Sequence, residues 1–107
     1  MENYSAEVPW TGKSGRNYKY FVYKIGTELS GPGNFVFTRR AANGDHDPIF
    51  FGQTKDLQQS LATQAKAGQV VEAGATHVCV HNEVNEGKRA VELSDLVTEH
   101  HPPCNAT

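Results

Sequence analysis

Pro48-Ile49-Phe50-Phe51-Gly52-Gln53-Thr54 is a nearly unbroken apolar run that ends at a glycine and two polar residues. Its length and its aromatic and β-branched content read as a strand covered on both faces. Upstream, Gly33-Asn34-Phe35 opens a second such run, Phe35-Val36-Phe37-Thr38. Ala41 to Asp47 lies between them, and its Asn43-Gly44 pair is a strong hairpin signal. Downstream, Thr54 suits the N-cap of a helix from Lys55 to about Lys66. Leu57, Leu61 and Ala65 stand four apart and form its inner stripe.

The same reading extends outward in both directions. Tyr18-Lys19-Tyr20-Phe21-Val22-Tyr23-Lys24 is aromatic and β-branched, so Asn17 to Ile25 is expected to be a strand. Gly26 and Ser30-Gly31-Pro32-Gly33 mark the turns after it. Gln69 to Ala73 is expected to be a short helix, Thr76 to His81 a strand, and Gly87 to Glu99 a last helix that stops before Pro102-Pro103. Residues 1–15 are polar, with Pro9, Gly12 and Gly15, and are expected to be loosely ordered, with Trp10 as the exception. Residues 16–107 are expected to form one domain. Hairpin-linked strands mixed with helices predict an α+β fold, a small central antiparallel or mixed sheet flanked by helices.

Composition narrows the function classes. The 107 residues carry 37% hydrophobic and 21% charged side chains, ordinary for one globular domain. No stretch approaches the roughly 20 apolar residues of a membrane span, so no membrane partner is expected. Met1-Glu2-Asn3-Tyr4 lacks the basic start of a secretory signal, and a cytoplasmic location is expected. A net charge of -2 argues against strong non-specific nucleic-acid binding. A local basic patch of Arg39, Arg40 and Lys55, which follow the two central strands, is the candidate binding surface. Cys79 and Cys104 are expected to be free thiols.

Two further motifs carry little chemistry. Gly12-Lys13-Ser14 matches the end of a phosphate-binding loop, but Glu7 stands where that loop needs glycine, and a strand follows where it needs a helix. His77, Cys79 and His81 share one strand face, and His100, His101 and Cys104 could add a ligand. Parallel side chains on one strand rarely converge on a single ion, so an exposed or half-covered sheet face is the expectation.

Gly33-Asn34-Phe35 and Phe50-Phe51-Gly52-Gln53-Thr54, with the hairpin between them, resemble the two motifs of the GIY-YIG nuclease family. Lys55-Asp56-Leu57-Gln58-Gln59-Ser60-Leu61 looks like that family's first helix, and Gly74-Ala75-Thr76-His77-Val78 looks like its third core strand. Asp95-Leu96-Val97 through Pro102-Pro103-Cys104-Asn105 looks like its last helix and terminal Asn. The resemblance covers residues 33–105. Trp10-Thr11-Gly12-Lys13-Ser14-Gly15 and the Tyr-rich strand look like an extension found in a bacterial branch, which adds an extra N-terminal strand.

The resemblance implies a scaffold for DNA phosphodiester hydrolysis, in which two Tyr hydroxyls, a helix Arg and a metal-holding Glu converge. Here those positions fall on Phe35, Phe50, Ser60 and Leu93, whereas Gly52 and Asn105 match. Phe keeps the ring of Tyr and loses its oxygen. Leu93 falls between Ala90, Leu96 and Val97 on the apolar stripe. Glu92, about 100° away around the helix, is expected on the flank. The expected function is a catalytically degenerate domain that needs no cofactor and is retained to bind a nucleic acid or a protein. One alternative is a magnesium-dependent DNA endonuclease using Glu92 with Tyr20 or His77. The other is a protein-interaction module with an exposed apolar patch near Tyr18, Tyr20 and Tyr23.

Overall fold

The computed structural model describes residues 6–61 and 68–105. Five strands form one sheet: β1 (Ala6–Thr11), β2 (Asn17–Lys24), β3 (Gly33–Arg40), β4 (His46–Thr54) and β5 (His77–Asn82). Helix α1 begins at residues 57–61. The short α2 spans Gln69–Glu72, and α3 spans Glu86–His100, followed by a 3₁₀ turn at Pro103–Asn105. The sheet order is β1-β2-β5-β3-β4, and every neighbouring pair is antiparallel. The architecture is therefore α+β. The part of the expected first helix beyond Leu61, with Ala65, lies outside the described residues.

Strand alternation divides the apolar residues between two cores. Under α3 lie Trp10, Tyr20, Val22, Val36, Phe51, Cys79 and Leu96. On the opposite face Phe35, Phe37, Ile49, Val78 and Val80 pack with Leu57 of α1 and Val70 of α2. Central β3 is buried from Gly33 to Thr38, because both of its faces are covered. The β3–β4 register shifts between Phe37 and Thr38, where Phe37 pairs with Phe50 but Thr38 pairs with Pro48. Ile49 is the extra residue of this bulge, so Ile49 and Phe50 both serve the same core. The bulge also accommodates Pro48, which has no N–H to give to the ladder.

Two sequence expectations are corrected. Residues 6–11, expected to be loosely ordered, form the edge strand β1, paired with β2 from Ala6–Val22 to Thr11–Asn17. The cause is Trp10, only 6% exposed, which packs edge-on against Phe51 and His100. Burial of one large indole offsets the ordering of the few residues around it. The cap of α1 is Asp56 rather than Thr54. The Asp56 carboxylate accepts from the Gln59 amide at 3.3 Å, while Thr54 Oγ1 accepts from the Asp56 amide at 3.0 Å. Thr54 thus makes the turn that leads into the helix.

Gly52 and Asn105 both serve β4. A Cβ on Gly52 would come within 2.4 Å of the Phe35 ring, which lies across the glycine from the partner position on β3. The Asn105 side chain accepts from the Phe51 amide at 2.7 Å and donates to the Phe51 carbonyl at 2.9 Å, acting as a one-residue strand partner on the outer edge of the sheet. We expect Gly52→Ala to destabilise the domain by about 1–3 kcal/mol through overpacking. Urea unfolding of the single and double variants checks the cause: Phe35→Leu relieves the contact, so the double variant loses less stability than the two single losses combined.

Candidate functional site

One rung of the sheet is polar on the face beneath α3. His81 of β5 pairs with Asn34 of β3, and Asn34 pairs with Gln53 of β4. On the other side the Phe21–Val80 register, continued by one residue, sets Tyr20 beside His81, and their rings lie 5.7 Å apart. The adjacent rung toward the domain centre is Val22, Cys79, Val36 and Phe51, all apolar. Four strands therefore present Tyr20, His81, Asn34 and Gln53 in a row to the helix above.

Helix α3 meets this row with Arg89 and Glu92. Its buried residues are Arg89, Glu92 and Leu96, a spacing of three and four that defines one face. This corrects the expectation for Glu92 and Leu93. Glu92 is 5% exposed and faces the sheet, whereas Leu93 is only partly buried at the margin of the Trp10 core. The polar rung, not the apolar stripe alone, sets the rotation of the helix. Glu92 Oε2 accepts from the Tyr20 hydroxyl at 2.5 Å and from Asn34 Nδ2 at 2.9 Å. His81 Nδ1 lies 2.9 Å from Oε1 and 3.1 Å from Oε2. Arg89 Nε donates to Gln53 Oε1 at 3.0 Å, and one terminal nitrogen donates to the Glu83 and Val84 carbonyls at 3.0 and 3.1 Å. The guanidinium thus ties the start of α3 to β4 and to the end of β5.

These contacts set the protonation preferences. Burial and the neighbouring Glu92 push the Tyr20 hydroxyl well above its ordinary value of 10.0, which keeps it a donor. The hydrogen bond to Glu92 raises the His81 pKa against the opposing effect of burial. A carboxylate on Nδ1 places a proton there and leaves Nε2, on the far side of the ring, to meet solvent or a ligand. The His81 side chain is 32% exposed. It lines a groove of about 710 Å³ with Arg16, Tyr18, Lys88 and Val91.

Arg16 is placed there by the Gly12-Lys13-Ser14 turn. The Asp95 carboxylate accepts from the Ser14 amide at 2.8 Å, the Ser14 hydroxyl at 2.6 Å and the Tyr18 hydroxyl at 2.8 Å. The Ser14 bonds hold the Asp95 pKa below its ordinary value. A Cβ on Gly12 would sit 2.1 Å from an Asp95 oxygen, so a side chain there would push the carboxylate off its Ser14 contacts. The motif that resembles a phosphate loop is a clasp between the β1–β2 turn and α3.

The remaining sequence candidates are dispersed. Phe35 and Phe50 belong to the core under α1 and α2, on the opposite sheet face from Glu92 and Leu93. Ser60 Oγ bonds Thr54 Oγ1 at 2.6 Å. Arg39 and Arg40 end β3 while Lys55 follows β4, and the antiparallel pairing of these strands puts them at opposite ends of the sheet, so they form no single patch. Arg39 makes an exposed ion pair with Asp47 at 3.5 Å. His77 and His81 also stand at opposite ends of β5. His77 instead contacts His46, with ring centroids 5.3 Å apart, and burial lowers the pKa of both. Cys79 is buried on the α3 side, not on a half-covered face, and burial raises its thiol pKa to about 12, leaving it unreactive. Tyr20 is fully buried and Tyr18 and Tyr23 half-buried, so they expose no broad apolar patch. Arg89 was missed in the sequence; its spacing three before Glu92 and seven before Leu96 is the signal that places it on the inner face.

Among the described residues no group of three or more His, Cys, Asp or Glu side chains is arranged to hold a metal ion, and Glu92 and His81 are engaged with each other. A cation on Glu92 would have to displace His81 or Tyr20. Comparison of the chain with models of known families, with curated proteins and with solved structures finds no match.

The network makes a stability prediction. Tyr20→Phe leaves Glu92 short of one donor and is expected to cost about 1.5–3 kcal/mol in urea unfolding. The raised His81 pKa adds stability that is fully present below its ordinary value of 6.5 and is lost as pH rises through the higher folded value. The stability gap between wild type and Glu92→Gln should therefore be widest below pH 6.5 and narrow above it. His46 and His77, whose shifts act in the opposite sense, are common to both proteins and cancel in this difference.

Proposed function

We propose that this chain is a binding domain on a GIY-YIG-like scaffold that does not hydrolyse DNA and that holds a nucleic-acid or protein partner. The observation that carries this reading is the division of the four key positions between the two faces of the sheet. Phe35 and Phe50 pack under α1 and α2, whereas Leu93 sits on α3 against the core of the other face. Phosphodiester hydrolysis needs its proton-transfer groups and charge-stabilising groups around one phosphorus atom. Ser60 supplies no charge, and the Phe rings supply no oxygen.

The magnesium-dependent alternative, through Glu92, is disfavoured by the same geometry. The Glu92 oxygens accept from Tyr20, Asn34 and His81 and are 5% exposed at the residue level. Freeing them for a metal would leave buried donors unpaired, an expensive exchange. The resemblance in the order of β3, hairpin, β4 and α1 supports the scaffold, and the replaced positions support loss of the reaction.

Incubation of the protein with supercoiled and branched DNA in magnesium or manganese tests the reading. No nicking above the buffer control is expected. Metal-dependent nicking that Glu92→Gln abolishes would overturn it. Partner class is read from binding titrations between about 50 and 200 mM salt, where a nucleic-acid complex weakens steeply and a protein complex far less.

A further inference from the structure

We propose that the groove between the start of β2, the end of β5 and the first half of α3 binds a small phosphate monoester, held by Arg16, Lys88 and His81. Three elements bring three cationic or cation-capable side chains to one concavity. Arg16 comes from the turn clasped by Asp95, His81 from the last residues of β5, and Lys88 from the first turn of α3. Among the described residues neither Arg16 nor Lys88 makes an ion pair within 4 Å, and each has one carboxylate nearby, Asp95 beside Arg16 and Glu83 beside Lys88.

The chemistry of the three groups suits a tetrahedral oxyanion. A guanidinium offers a two-pronged donor, an ammonium a point charge, and the protonated imidazole a single directed hydrogen bond from Nε2–H. Glu92 fixes the His81 ring through Nδ1, so the free nitrogen is already oriented. In the groove Arg16 and Lys88 balance Glu83 and Glu92, and protonation of His81 offsets Asp95 beside Arg16. Tyr18 and Tyr20 of β2 stay neutral, because burial and the adjacent carboxylates Asp95 and Glu92 raise both hydroxyls. At about 710 Å³ the groove exceeds the needs of a bare phosphate and falls in the range of small-molecule sites. Val91, 62% exposed, and the half-buried Tyr18 supply an apolar wall for the organic part. That wall distinguishes a monoester from inorganic phosphate.

The proposal takes from the previous reading only that the domain binds rather than cleaves, and the plasmid assay tests that point separately. Absence of nicking together with absence of phosphate binding would sink this inference and leave the other standing.

The test is a chemical-shift titration of the full chain with a nucleoside 5′-monophosphate, the parent nucleoside and inorganic phosphate. We expect saturable shifts of the His81 ring signals with the monophosphate, weaker shifts with phosphate, and none with the nucleoside. Arg16→Gln and Lys88→Gln should each weaken binding about tenfold, the loss of one charge-assisted contact. His81→Asn keeps a donor toward Glu92 but cannot gain a proton. The affinity ratio of wild type to His81→Asn should therefore fall from pH 6 to pH 8, a comparison in which titration of the phosphate itself cancels. No saturable shift at millimolar monophosphate would overturn the proposal. So would equal shifts from the nucleoside, or unchanged binding by the Arg16 and Lys88 variants.

Discussion

A buried carboxylate governs this small domain. Taking Glu92 out of water costs several kcal/mol unless its oxygens are met by donors. The sheet meets them with Tyr20, Asn34 and His81, one from each of three adjacent strands. The helix and the three strands are thus fixed relative to one another by a polar contact with little tolerance for displacement. Turning α3 by one residue would bring Leu93 onto the polar rung and leave the tyrosine, asparagine and histidine without their acceptor. An apolar contact alone would tolerate such a shift far better, because it has no direction. Arg89 adds a second directional tie, reaching Gln53 and two carbonyls at the start of the helix.

Around that contact the rest of the fold is arranged by strand alternation. The two faces of β3 carry Phe35 and Phe37 one way and Asn34, Val36 and Thr38 the other. Gly52 leaves room for the tip of the Phe35 ring against β4, and Asn105 closes the outer edge of that strand. Phe35, Gly52 and Asn105 thus serve packing and edge protection. On the other side of the sheet the β1–β2 turn is clasped to α3 by Asp95, which carries Arg16 to the mouth of the groove beside His81.

Much of this was legible in the chain, residue by residue. The aromatic run at Tyr18–Lys24, the hairpin at Asn43-Gly44 and the apolar run at Ile49–Phe51 carried their strands directly, because local preference and tertiary packing agree there. β1 was passed over although Val8 and Trp10 alternate in the manner of a half-buried strand; Pro9 and the nearby glycines outweighed them. The opposite placement of Arg39 and Lys55 followed from the hairpin itself, since antiparallel strands end at opposite sides. Asp56 displaced Thr54 as the cap because two residues, Lys55 and Asp56, separate β4 from α1, a detail finer than propensity resolves.

The sequence by itself determined the elements from β2 onward, their order and the α+β class, because periodicity and turn chemistry act over a few residues. It also determined that Phe35 and Phe50 carry no hydroxyl and Ser60 no charge, which needs no coordinates. Only the tertiary structure decided which side of α3 faces inward. Both Leu93 and Glu92 are plausible neighbours on a helical wheel, and hydrophobicity alone favours the leucine. The choice fell to three polar side chains up to 72 residues away in the chain, which join one rung only after the strands have paired.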